Sequence, residues 1–175
     1  MSHEVEIGRG KRGRRAYTLD DIALVPARRT RDPEDVNVGW QIDAYHVDLP
    51  LMAAPMDSVM SPETAIAFGR LGGIGVLDLD GLWTRYEDPE PILDQIAHLG
   101  EEESIATLQR VYSEPIKPAL ITERLTQLRE AGVVVAGKLS PQRVQQHWRA
   151  VVDAGVDLFI IRGSTVSAEH VSSRR

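Results

Sequence analysis

Three glycines near the N-terminus, Gly8, Gly10 and Gly13, spell G-x-G-x-x-G, the spacing that lets backbone N–H groups approach a dinucleotide pyrophosphate. That chemistry needs a strand before the motif and an apolar helix after it. No strand is expected before Gly8, and Lys11, Arg12, Arg14 and Arg15 do not open an apolar helix, so the match is read as coincidence. Five of the seven residues from Arg9 to Arg15 are basic, which reads as a solvated arm, because runs of one charge stay in water. His3, His46, His98, His147 and His170 are scattered, with no two at ligand spacing, so no metal site is expected. The chain has no cysteine, which excludes disulfides, thiolate ligands and a cysteine nucleophile within it. Trp40, Trp83 and Trp148 do not alternate with basic residues as single-strand binders require. Glu101, Glu102 and Glu103 stand where a helix should begin, and suit its dipole. Asp57 follows an apolar run and is read as a turn-fixing acceptor, since aspartates commonly bond nearby backbone.

The elements that would position such groups are legible from Leu49 onward. Apolar runs at 49–54, 74–77, 133–136 and 158–161 alternate with helical segments. Ser61-Pro62 and Ser140-Pro141 each place an N-cap residue before a proline in the first turn. Helices are expected from Ser61 to Gly72, over 91–99, 102–112 and 118–131, and from Ser140 to Gly155, with Gly132 stopping the fourth. Residues 1–48 read as a polar, irregular extension with the basic arm, apart from a short strand expected in the run that ends at Pro26. Strand, helix, strand, helices, strand, helix, strand implies right-handed crossovers and a parallel sheet covered on both faces. A doubly wound sheet and a barrel both satisfy this order.

At 175 residues and 42% hydrophobic the chain can bury a core, but it is short for a complete (β/α)8 barrel of about 250 residues. A net charge of −6 argues against wholesale nucleic-acid binding. The opening MSHEVEIG lacks the apolar core of a signal peptide, and no apolar stretch is long enough to span a bilayer. The expectation is a soluble cytoplasmic protein with no membrane partner.

The segment LPLMAAPMDSVMSPETAIAFGRLGGIGVL, from Leu49 to Leu77, resembles the first strand, helix and second strand of the IMP dehydrogenase/GMP reductase family. LDDIALVPARRT upstream and DAGVDLFIIRGST downstream resemble the family's opening stretch and its fourth-strand region. Only 55 residues separate Leu77 from Val133, so the chain resembles the branch without CBS modules. The resemblance implies the first half of a (β/α)8 TIM barrel over 49–175, strands one to four with their helices. It implies a purine-nucleotide oxidoreductase acting with NAD or NADP. The reaction would be IMP to XMP in GMP biosynthesis, with GMP to IMP or a non-enzymatic nucleotide-binding half-barrel as alternatives. By the same resemblance Ala54 and Met56 touch the nucleotide, although alanine lacks the hydroxyl the family often has there. Arg162, Gly163 and Ser164 stand at the cofactor. Arg162 replaces an aspartate of the dehydrogenases, and its forked donors suit a phosphate, hence NADP.

The family's nucleophile and acid/base residues lie in strands five to eight, so no catalytic residue is expected in this chain, and the chain alone should be inactive. The resemblance also carries homo-oligomers, commonly tetramers. Sheet physics points the same way, because half a barrel has two unpaired apolar edges.

Overall fold

The computed structural model describes residues 4–26 and 29–163. It divides into two compact units, Met1–Asn37 and Val38–Arg175. In the first, strands β1 (Glu4–Glu6) and β2 (Arg12–Arg14) form an antiparallel hairpin. Its turn holds Gly8 and Gly10 at φ 75° and 71°, so the glycine motif serves a hairpin and has no following helix. The run expected as a strand before Pro26 is a 3-10 turn, Leu19–Asp21, followed by extended chain. Thr18 and Asp21 close a capping box there, and Leu24 and Val25 are exposed. No described residue of this unit is buried.

The second unit opens with a second hairpin, β3 (Trp40–Ile42) and β4 (Tyr45–Val47), whose Val47 is buried. The sequence placed its boundary after this hairpin, and read both hairpins as irregular chain. Strands of three residues are too short for their periodicity to register.

Helix α1 (Pro62–Arg70) begins as expected, with the Ser61 hydroxyl accepting from Thr64 N at 3.1 Å. Strand β5 (Val76–Asp78) follows, then α2 (Glu90–Ala97), α3 (Glu101–Val111) and α4 (Pro118–Glu130). Strand β6 (Ala136–Leu139), helix α5 (Pro141–Asp153) and strand β7 (Leu158–Ile161) complete the described chain. The sheet order is β5-β6-β7, all parallel. The run at 49–54 joins at the β5 edge through a parallel bridge, Met52 to Ile74.

Two expected strands differ from the structure for local reasons. Pro50 has no N–H, and Leu51 N bonds Leu49 O at 2.7 Å, so the first run pairs only around Met52. The third strand starts at Ala136, three residues later than expected. Gly132, at φ 72°, takes the left-handed conformation that ends α4, and Val133 N then bonds back to Leu128 O. Val133 is therefore spent on the helix end. Gly72 and Gly155 end α1 and α5 in the same way.

The main core packs Leu77, Leu79 and Leu139 against Ile121, Leu125 and Leu128 of α4 and Val151 of α5. Ile74, Val76 and Ala136 pack with Val47 in a second cluster. Sheet residues are thus buried on both faces, as the continuous apolar runs require. Among the described residues no helix is long and apolar enough to cross a membrane.

Candidate functional site

Polar side chains gather where the parallel strands end. In β5, Asp78 and the following Asp80 are two residues apart, so both lie on one side of the chain. Asp78 stands opposite Lys138 in the β5–β6 register. The Lys138 ammonium sits 3.1 Å from Asp78 Oδ1 and 3.1 Å from Asp80 Oδ2. Asp80 Oδ2 also accepts from Ser140 N at 2.7 Å. The Ser140 hydroxyl does not cap α5 as the sequence suggested; the Asp80 carboxylate accepts from the N–H of Ser140 itself. Burial pushes the Asp78 carboxyl above its usual range, against the pull of Lys138. Burial pulls Lys138 down, but Asp78 and Asp80 outweigh it and hold the ammonium above its usual value. The ammonium fills the space between two carboxylates that a cation would otherwise take. No group of three or more His, Asp or Glu side chains placed for a metal occurs among the described residues.

Asp57, after the first run, does more than fix a turn. Its Oδ2 accepts from Leu82 N at 2.7 Å and from the Tyr112 hydroxyl at 2.5 Å, joining segments 25 and 55 residues away. Its Oδ1 is buried without a partner. Burial raises the Asp57 carboxyl above its usual range, while the Tyr112 and Leu82 bonds oppose the rise. Burial and then the Asp57 bond push the Tyr112 hydroxyl well above the ordinary tyrosine range. The Arg85 guanidinium lies 5.5 Å over the Tyr112 ring, and its Nε and Nη2 bond Asp80 O at 3.1 and 2.9 Å. Arg85 thereby ties the Asp57–Tyr112 pair to the Asp78–Lys138–Asp80 group.

Two cavities flank this network. One, of about 450 Å3, is lined by Pro55, Met56, Asp57 and Asp78 from the strand ends and by Leu93, Ile96, Leu108 and Tyr112 from the α2–α3 segment. Its lining is mostly apolar with carboxylates at one side, which suits a flat heterocycle. Met56 is half exposed there, whereas Ala54 is exposed and does not line the cavity. A larger cavity of about 540 Å3 adjoins it between the start of α1 and α2. Trp83 Nε1 and Asp57 Oδ1 border that larger space but are themselves covered, so neither presents a hydrogen-bonding atom to it. The other flanking cavity, of about 390 Å3, is lined by Lys138, Ser140, Gln142, Arg162 and Gly163. The structure therefore brings Arg162 and Gly163 together; Ser164 lies outside the described residues. The Arg162 guanidinium and Gln142 amide are donors at this cavity, while the Lys138 ammonium is already bonded to Asp78 and Asp80. The sequence reading missed Asp78, Asp80 and Lys138. The signal was present in Asp-Leu-Asp and Gly-Lys-Leu-Ser at the ends of two apolar runs.

Residues 16–174 match the family model described as the IMP dehydrogenase / GMP reductase domain. The chain is 43% identical over 174 residues to uncharacterized oxidoreductases of Mycolicibacterium smegmatis and Mycobacterium tuberculosis, covering 97% of this chain and 46% of each relative. A shorter stretch of 64 residues, 37% of this chain and 13% of the relative, is 41% identical to inosine-5′-monophosphate dehydrogenase of Methanocaldococcus jannaschii. The crystal structure of an IMP dehydrogenase/GMP reductase-like protein from Corynebacterium glutamicum superposes with a TM-score of 0.82 at 43% identity, over 96% of this chain and 46% of that one. The chain thus spans about half the length of the relatives it matches.

Proposed function

Because this chain belongs to the IMP dehydrogenase/GMP reductase domain family, we propose that it is the first half of a (β/α)8 barrel that binds a purine nucleotide and serves a purine-nucleotide oxidoreductase. The observation that carries the reading is the cavity at the strand ends, where Met56 and Asp78 both line a largely apolar space. Active sites of such barrels sit at the C-terminal ends of the strands. The purine base lies against the Met56 thioether, with its polar edge toward Asp78. Ala54 has no hydroxyl and lies outside the cavity lining, so this chain takes no hydroxyl contact from that position.

Arg162 and Gly163, which line the neighbouring cavity, hold the ribose and phosphate of a nicotinamide cofactor, and Ser164 joins them by the family resemblance alone. Bound there, the cofactor supplies or accepts a hydride. Lys138, fixed by two carboxylates, keeps its charge and position between the two cavities. Arg162 favours a phosphorylated ribose, hence NADP over NAD. Nothing in the chain offers a nucleophilic cysteine, so these residues bind and orient while the covalent chemistry belongs elsewhere in the barrel. IMP to XMP is the reaction we assign, in a cytoplasmic homo-oligomer.

Equilibrium titration of the chain with IMP, GMP and UMP tests the reading. Purine monophosphates should bind at least tenfold tighter than UMP, and Met56→Asp should remove the difference. Equal affinity for UMP, or unchanged purine binding in Met56→Asp, refutes it. Arg162→Asp should shift the ratio of NADPH to NADH affinities toward NADH, and an unchanged ratio removes Arg162 from the cofactor site.

A further inference from the structure

Between the end of β5 at Asp78 and the start of α4 at Pro118 lie 39 residues (79–117), where a strand-to-helix connection in an α/β unit takes about 2–6. Most of the excess is the α2–α3 pair, Glu90 to Val111. This pair contributes almost nothing to the core: α2 buries no residue and α3 buries only Val111. Its apolar side chains go elsewhere. Leu93 and Ile96 line both the strand-end cavity and the larger one beside it, and Leu108 lines the first. Long ordered insertions at strand ends carry function more often than packing.

The pair is held in place at its exit. The Tyr112 hydroxyl donates to Asp57, one residue after Met56, and the Tyr112 ring lies under the Arg85 guanidinium. Tyr86 OH bonds Val111 O at 3.1 Å. Tyr112 therefore has its hydroxyl and one ring face engaged where it lines the cavity.

We propose that the α2–α3 pair is the outer wall of the nucleotide site, with Leu93, Ile96 and Leu108 packing on the purine base opposite Met56, and Tyr112 as the residue that positions this wall through Asp57. The proposal rests on the purine-nucleotide reading above. A purine has two apolar faces; Met56 takes one and the helical wall takes the other, leaving the polar edge toward Asp78. The wall is thus a specificity element: it selects a flat, two-faced base and sets how large that base may be.

Photolabelling of the full chain with 8-azidoguanosine and 8-azidoinosine 5′-monophosphates tests this, with calorimetric titration of GMP and IMP beside it. The label should fall on peptides within 91–112 and be competed by unmodified nucleotide. Ile96→Lys should weaken binding about tenfold or more, and Tyr112→Phe by about tenfold, the cost of one bond to a charged acceptor. Ile96→Val should stay within about twofold. Ile96 is not in the core, so the urea midpoint of Ile96→Lys should match the parent chain, which separates loss of contact from loss of fold. Label confined to 49–60 and 74–84, with Ile96→Lys binding normally, overturns the wall and leaves the nucleotide reading standing. No purine binding by the parent chain overturns both.

Discussion

Gly81→Ala tests the geometry around Asp57. The backbone at Gly81 is ordinary extended chain, φ −81° and ψ −168°, so an alanine meets no conformational strain there. The obstacle is space: a Cβ at this position falls 2.0 Å from Asp57 Oδ1, 2.6 Å from Cγ and 2.7 Å from Oδ2. The carboxylate must move, and it is held by Leu82 N at 2.7 Å and by the Tyr112 hydroxyl. Each bond to an ionised acceptor contributes about 1.5–3 kcal/mol, and Gly→Ala returns about 0.4–1 kcal/mol through the unfolded chain. Losing both bonds gives a net expected cost of about 2–5.5 kcal/mol. Asp57→Ala removes the obstructing group, so in that background Gly81→Ala should cost nothing or stabilise slightly. Urea denaturation of the four chains, read as midpoints at constant slope, gives the coupling energy. A cost below about 0.5 kcal/mol for Gly81→Ala, or the same cost in both backgrounds, refutes the reasoning.

Lys138→Met leaves Asp78 and Asp80 facing each other with side chains 18% and 17% exposed, and should destabilise by about 3–5 kcal/mol in thermal unfolding. Adding Asp78→Asn to that variant should recover part of the loss, and a further loss contradicts the ion-pair account. The Asp57 carboxyl is raised mainly by burial, so its contribution is complete below the unfolded pKa of about 4 and is lost as pH rises through the folded value. The stability of the parent chain relative to Asp57→Asn should therefore fall as pH rises above about 4, and a difference that stays constant with pH rules the burial effect out. Leu51, Met52, Met56 and Val59 are each exposed, and the first run pairs only around Met52, so sedimentation velocity should show self-association, and a monodisperse monomer contradicts it.

Helix positions were legible because their punctuation is local. Ser61-Pro62 and Ser140-Pro141 open two helices and Gly72, Gly132 and Gly155 close three, each by a conformation readable from residue type. Strand starts were less so: whether Val133 pairs with β5 or closes α4 depends on a bond to Leu128 that apolar periodicity does not encode. The candidate site followed the same division. Met56 and Arg162 were named through the family resemblance of the segments that hold them, and both line cavities at the strand ends. Asp57 could be seen but its role could not, because its partners lie 25 and 55 residues away. Asp78 and Lys138 were passed over because a lone acid and a lone base read as surface charge until the register sets them opposite each other. The N-terminal glycine motif shows the converse, a correct spacing whose context, a hairpin, carries none of the chemistry.

The central claim is that a purine nucleotide lies at the strand ends between Met56 and the α2–α3 wall. A crystal structure of the chain grown with GMP or IMP tests it most directly. The base should lie in contact with the Met56 thioether, its edge toward Asp78 and its outer face on Ile96. A nucleotide bound at the Gly8–Gly13 hairpin, or a strand-end cavity left empty at saturating nucleotide, would contradict it.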